Sequence, residues 1–236
     1  MLFKRFHPLI RLNKRRELFI EQRHQTLELK ALVSEPECSL DTTADELSYI
    51  VLDLETTGLQ AESDLILSMG WVEIDNDKIN LNSASHLYIN EESSVVPETA
   101  VINHITPQML RDGISLSNAM TQFFEAAAGK VIIAHACGVE KAFIDRYLDT
   151  YYQVVNLPIL WIDTLAIEKN MAKARNEHDL DYSLSSTRER YGLPEYNNHN
   201  ALIDAVSTAE LFLAQKKRLS PTTSVPIAKL YSLSHK

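Results

Sequence analysis

Asp53 and Glu55 stand two residues apart at the end of the apolar run Tyr49–Leu54, just before Thr56-Thr57-Gly58. If that run is a strand, both carboxylates project to the same side. Two oxygen-bearing anions beside a Gly that lets backbone approach a ligand suit a hard divalent cation, Mg²⁺ or Mn²⁺. Taken alone, an Asp-x-Glu pair reads better as a solvated strand end. It does not stand alone. The segment AHACGVEKAF places His135 at the end of a second buried strand and Glu140 in the first turn of the following helix. The segment HNALIDA then places His199 just before a long helix and Asp204 about one turn inside it. Singly, Glu140 and Asp204 are acids favoured near helix N-termini, and His199 is a loop or cap residue. What shifts the odds is their joint order: a strand-end Asp-x-Glu, an acid at a helix start, then His-x4-Asp.

The elements that must position these groups follow from periodicity and punctuation. Tyr49–Leu54 predicts a buried strand. Strands around 65–74 and 79–89 flank an Asp75-Asn76-Asp77 turn, and the second of them alternates as a half-solvated antiparallel strand does. Thr106 and Pro107 open a short helix to Arg111. A helix over 115–128, a strand over 130–134 and a helix over 138–152 follow. A short strand near 159–163 leads to helical segments at 164–174 and 183–191, and a long helix covers about 200–218. Three antiparallel strands followed by α/β units predict an α/β fold with a mixed five-stranded sheet flanked by helices. Trp71, Trp161, Tyr182 and Tyr191 read as packing residues.

Of 236 residues, 45% are hydrophobic and 23% charged, which excludes wholesale disorder. Two cysteines, Cys38 and Cys137, are too few for a disulfide framework or a Cys-based zinc site and predict a reducing compartment. No apolar run approaches the length of a membrane span, and the start MLFKRFHPLIRLNKRREL lacks a secretion-signal core. The expectation is a cytoplasmic protein with no membrane partner. Net charge is −9, yet residues 1–30 carry eight basic against three acidic residues, +5, leaving −14 on the rest. A basic arm on an acidic body predicts that the arm meets an anionic partner or the body itself. The predicted organisation is a helical arm and polar linker over 1–46, a domain over 47–219, and a tail over 220–236 without clear period. No GxGxxG, P-loop or HExxH is present.

DLETTG at 53–58, His135–Phe143, and His199 with Asp204 resemble the three motifs of the DnaQ-like 3′→5′ exonucleases of the DEDDh group, which includes the proofreading subunit of bacterial DNA polymerase III. VINHITPQML resembles the His-Gly-Ile-Thr region of that family, and WIDTLAI its Asp-Thr-Leu segment. The likeness spans about residues 47–215. It implies a ribonuclease H-like fold and release of nucleoside monophosphates from the 3′ end of single-stranded DNA. Asp53, Glu55, Glu140 and Asp204 would then hold two Mg²⁺ or Mn²⁺ ions, and His199 would be the general base. Thr56, Thr57, Gly58, Leu59 and His104 would contact substrate, and a DNA polymerase subunit becomes a conceivable partner. An exoribonuclease trimming short RNA or tRNA ends fits the same motifs; a non-catalytic module attached to a polymerase through residues 1–34, its activity lost through Glu140, is a rival that the retained His199 and full carboxylate set argue against. Three departures are visible: Glu140 where the family has Asp, Ala136 where it often has Asn, and Asn103-His104 where it often has His-Gly.

Overall fold

The computed structural model describes residues 7–22, 26–34, 36–90, 105–197 and 199–235. Its centre is a five-stranded mixed sheet of order β3-β2-β1-β4-β5. The strands are β1 (Tyr49–Thr56), β2 (Ile66–Asp75), β3 (Lys78–Tyr88), β4 (Val131–Ala134) and β5 (Trp161–Asp163). β1 pairs with β2 antiparallel, setting Asp53 opposite Gly70 and Glu55 opposite Ser68. β4 joins β1 in parallel, and β5 joins β4 in parallel. The β2–β3 hairpin turns on Asn76 and Asp77, both at positive φ (50° and 58°). Two successive left-handed residues are what a tight two-residue hairpin needs, and Asn and Asp tolerate them. The mixed five-stranded sheet expected from the sequence is thus present.

Period-2 alternation divides the side chains of β1 between two cores. Ile50, Leu52 and Leu54 face α4 (Leu116–Ala127) and α5 (Gly138–Tyr152), packing with Phe123, Phe124, Phe143 and Ile144. Trp71 and Trp161 are buried in that core. Tyr49 and Val51 face α8 (Ala201–Leu219), packing with Ala209 and Phe212. Ile167 and Met171 of α6 (Thr164–Ala174) complete that second side. The remaining short helices are α3 (Pro107–Arg111) and α7 (Leu184–Arg190). Helix starts follow local chemistry. Ser115, Asp163, Ser183 and Asn200 each accept a backbone N–H of the helix they open.

The segment read as a helical arm and linker carries helices, α1 (Pro8–Ile20) and α2 (Leu27–Ser34), and the segment read as a tail without clear period contains α9 (Ile227–Ser234). Leu9 and Leu12 of α1 are buried with Ile227, Leu230 and Tyr231 of α9 in the α8-side core. Phe19, Leu29, Leu32 and Val33 are buried in the opposite one. Arg16, a basic residue of the supposed arm, is 5% exposed and donates to the Val33 and Pro36 carbonyls. Arg15 donates to the Asn156 carbonyl at 2.6 Å. Of the two readings of the basic segment, the described residues show the one in which it meets the body. The short apolar stripes are covered by tertiary contact, which period alone does not reveal. Among the described residues, no helix is long and apolar enough to cross a membrane.

Candidate active site

β1 delivers Asp53 and Glu55 to the α8 side of the sheet, and a register shift follows immediately after Glu55. The chain then closes a tight loop. Asp64 accepts from the Thr57 hydroxyl (3.0 Å) and the Gln60 N–H (2.8 Å), while the Thr56 hydroxyl donates to the Gly58 carbonyl (2.6 Å). A Cβ on Gly58 would lie 2.5 Å from the Asp64 carboxylate, so a side chain there would displace the group that ties the loop. A groove of about 350 Å³ is lined by Glu55–Leu59 from the end of β1 and by His135, Ala136, Val139 and Glu140 from the β4–α5 turn and the start of α5. Leu59 is 76% exposed at the loop tip.

α8 supplies Asp204. Asn200 caps the helix by accepting from the Ile203 N–H (3.1 Å), and Asp204 Oδ2 accepts from the His199 N–H (2.9 Å). Carboxylate oxygens of Asp53, Glu55 and Asp204 lie within 4.8 Å of one another, the one grouping of this kind among the described residues. His199 is exposed, at φ +67°, and its contact with this group runs through its backbone. Glu140, in the first turn of α5, stands outside the triad and is buried. Glu140 Oε2 and Asp204 Oδ1 are buried with no hydrogen-bond partner. His104 lies outside the described residues.

Burial sets the electrostatics of the cluster. Burial, reinforced by Glu140, Asp204 and Glu55, holds the Asp53 carboxyl well above the usual aspartate range. Burial, then Asp204, pushes Glu55 up to about 7. Burial pushes Glu140 up to about 8, its own backbone N–H opposing the shift and Asp163 adding to it. Asp204 is also raised by burial, although the His199 and Asn200 N–H groups favour its charged form. Three clustered carboxylates, a fourth close by and two orphaned oxygens form a hard-oxygen donor set that fits Mg²⁺ or Mn²⁺.

Two supporting residues carried no role in the motif reading. Asp163, at the end of β5, caps α6 through the Leu165 and Ala166 N–H groups. The same oxygen accepts from the Ala136 N–H at 3.0 Å, pinning the β4–α5 turn that aims Glu140. The N-cap aspartate preceding Thr-Leu was its sequence signal. His135 is a strut: Nδ1 lies 2.9 Å from the Thr164 hydroxyl and Nε2 2.9 Å from the Tyr182 carbonyl. The carbonyl can only accept, so Nε2 carries the proton and Nδ1 accepts from Thr164. Gly70 is a third: a Cβ there would lie 2.2 Å from Ala201 C and Leu202 N at the start of α8, and nothing in its sequence context signals that approach.

A mixed sheet in the order β3-β2-β1-β4-β5, with acids at the end of its first strand and on the two helices that converge there, defines a ribonuclease H-like exonuclease of the DnaQ-like class. The sequence pattern of the RNase_T family, described as exonuclease, matches residues 50–212, and the chain belongs to that family. PolC-type DNA polymerase III of Thermotoga petrophila is 31% identical over 179 residues, covering 74% of this chain and 12% of that protein. The Thermotoga maritima counterpart is 32% identical over 177 residues, with 73% and 12% covered. The chain therefore spans about an eighth of the length of these relatives. Among solved structures, the nuclease domain of 3′hExo, a DEDDh member bound to rAMP, superposes with TM-score 0.60 at 12% identity, covering 75% of this chain and 96% of that one. Cell-death related nuclease 4 gives 0.63 at 16% identity, covering 79% and 66%. E. coli exonuclease I in complex with a dT13 oligonucleotide gives 0.58 at 17%, covering 74% and 42%.

Proposed function

We propose that this chain hydrolyses single-stranded DNA from the 3′ end, releasing nucleoside monophosphates, with two Mg²⁺ or Mn²⁺ ions. The observation that carries the reading is the Asp53–Glu55–Asp204 cluster, within 4.8 Å and raised in pKa, whose Glu55 lines an open groove. Asp53, Glu55 and Asp204 would hold the ions directly, and Glu140 would add its unpartnered Oε2 from the α5 start. The ions, when bound, supply Lewis acidity and neutralise the charge of the scissile phosphate. The chain supplies the rest. Thr56–Leu59 form the wall against which a terminal nucleotide is held, Leu59 offering an apolar surface to its base. His199, on an exposed loop tied to Asp204 through its backbone, takes the proton from the attacking water. The PolC-type relatives and the dT13-bound neighbour support DNA as substrate. The relatives are also the ground for including a DNA polymerase as protein partner.

A degradation assay with matched 5′-labelled DNA and RNA oligonucleotides, in Mg²⁺, Mn²⁺ or chelator, tests the reading. The expected result is stepwise shortening of single-stranded DNA from the 3′ end, abolished by chelator. Preferential shortening of RNA would replace it with an exoribonuclease; a 2′-hydroxyl contact is what separates the two. Binding without cleavage under every condition would establish a non-catalytic module.

A further inference from the structure

We infer that Gly70 is a positioning residue: it sets the approach of α8 to the sheet and so brings Asp204 into reach of a metal shared with Asp53 and Glu55. The inference rests on the metal-site reading above. Gly70 is the register partner of Asp53 on β2. Directly paired residues of an antiparallel ladder share a face, so any side chain at 70 would stand beside the Asp53 carboxylate. That space is filled by helix backbone. A Cβ on Gly70 would lie 2.2 Å from Ala201 C and Leu202 N and 2.5 Å from Ala201 O.

No rotamer can relieve such a contact, because every obstructing atom is main chain. An ordinary contact begins at 3.4 Å, so the helix start would have to retreat by about 1.2 Å. β2 cannot yield instead, since β1 and β3 hold it on both edges. The first turn of α8 is tied internally, by the Asn200 cap and by the bond from the His199 N–H to Asp204. It would therefore move as a unit, taking Asp204 and His199 together. Metal–ligand distances tolerate only about 0.2 Å. A displacement several times larger opens the cluster while leaving every acid in place.

The experiment is calorimetric titration of Mn²⁺ into the metal-freed full chain, for wild type, Gly70→Ala and Gly113→Ala, with turnover of a DNA oligonucleotide recorded alongside. Gly113→Ala is the strain control: its Cβ would meet the Tyr88 carbonyl oxygen at 2.3 Å, a main-chain clash outside the cluster. Gly70→Ala should weaken Mn²⁺ binding at least about tenfold, the scale of a lost supporting contact, and Gly113→Ala should leave it unchanged. Asp204→Glu, harmful alone, should restore part of the affinity when combined with Gly70→Ala, because its extra methylene spans about 1.5 Å. Should Gly70→Ala not fold, Ala205→Val, at a buried position one turn along α8, widens the same gap and should weaken Mn²⁺ binding in its place. Wild-type affinity in whichever of these two variants folds would overturn the inference alone. Absence of Mn²⁺ binding by the wild type would overturn the metal-site reading and the inference with it.

Discussion

The two ends of α8 handle acidic clusters in opposite ways. At its N-terminal end, Asp204 joins Asp53 and Glu55 with no basic side chain in the group. At its C-terminal end, Lys216 Nζ bridges Asp45 at 2.7 Å and Asp77 at 2.5 Å, tying the segment before β1 to the β2–β3 turn. The consequences run in opposite directions. Lys216, as hydrogen-bond partner, holds Asp45 below the usual aspartate range, whereas burial holds Asp53, Glu55 and Asp204 above theirs, reinforced at Asp53 and Glu55 by neighbouring carboxylates. A carboxylate pair that receives its cation from the chain stabilises the fold. A cluster that lacks one costs stability unless a bound cation neutralises it.

The sharpest break of this comparison is Asp53→Asn. It should abolish exonuclease turnover while the metal-free protein becomes more stable at pH 8. Raised folded-state values mean that the contributions of Glu55 and Glu140 are fully present below the ordinary glutamate range and are lost as pH rises through about 7 and about 8. Chelated wild type should thus melt lower at pH 8 than at pH 5, a divalent ion should reverse the loss, and Asp53→Asn should reduce it. Thermal unfolding at both pH values checks all three; a wild-type curve independent of pH and metal would sink the idea of strained acids. Next in size, His199→Ala should slow turnover by about 10²–10⁴ with substrate binding little changed, read from single-turnover kinetics.

Glu140 tests whether the departure from the family is tuned or degenerate. Glu140→Gln should lose most activity, because it keeps the shape and removes the charge. Glu140→Asp should also be impaired, since its carboxylate falls short by about 1.5 Å. Wild-type rates in Glu140→Gln would strip the residue of its role. At the other end of the helix, Lys216→Met should leave turnover unchanged and cost about 1 kcal/mol at pH 7, the small figure reflecting the solvent exposure of both partners. Because the folded-state value of Asp45 is lowered, this contribution is present at neutral pH and lost as pH falls through the acid range, so the variant and wild type should converge in acid denaturation. The smallest effect belongs to Ala136, held at φ +65° in the β4–α5 turn. Asn tolerates that region better than Ala, and Ala136→Asn should raise stability by about 0.5–1 kcal/mol in a chemical denaturation curve.

What the sequence alone determined was whatever local chemistry specifies. The apolar run Tyr49–Leu54, the alternation of the 79–89 strand, the cap at Thr106, and the placement of Asp53, Glu55, Glu140 and Asp204 at element ends were legible. Periodicity and capping act over a few residues, and the motif spacing put the acids at one end of the sheet. Tertiary structure decided what depends on distant partners. The 1–34 segment carries positive charge and short apolar stripes, yet whether Leu9 and Phe19 stay free or complete two cores depends on surfaces more than a hundred residues away. The α9 stripe was too short to show a period, and it folds because α1 and α6 cover it. Asp163 reaches Ala136 across 27 residues, and Gly70 meets Ala201 across 131, so neither partnership leaves a mark in the local pattern. Close packing between elements is a property of their surfaces in three dimensions, and it alone fixed how near Asp204 comes to Asp53.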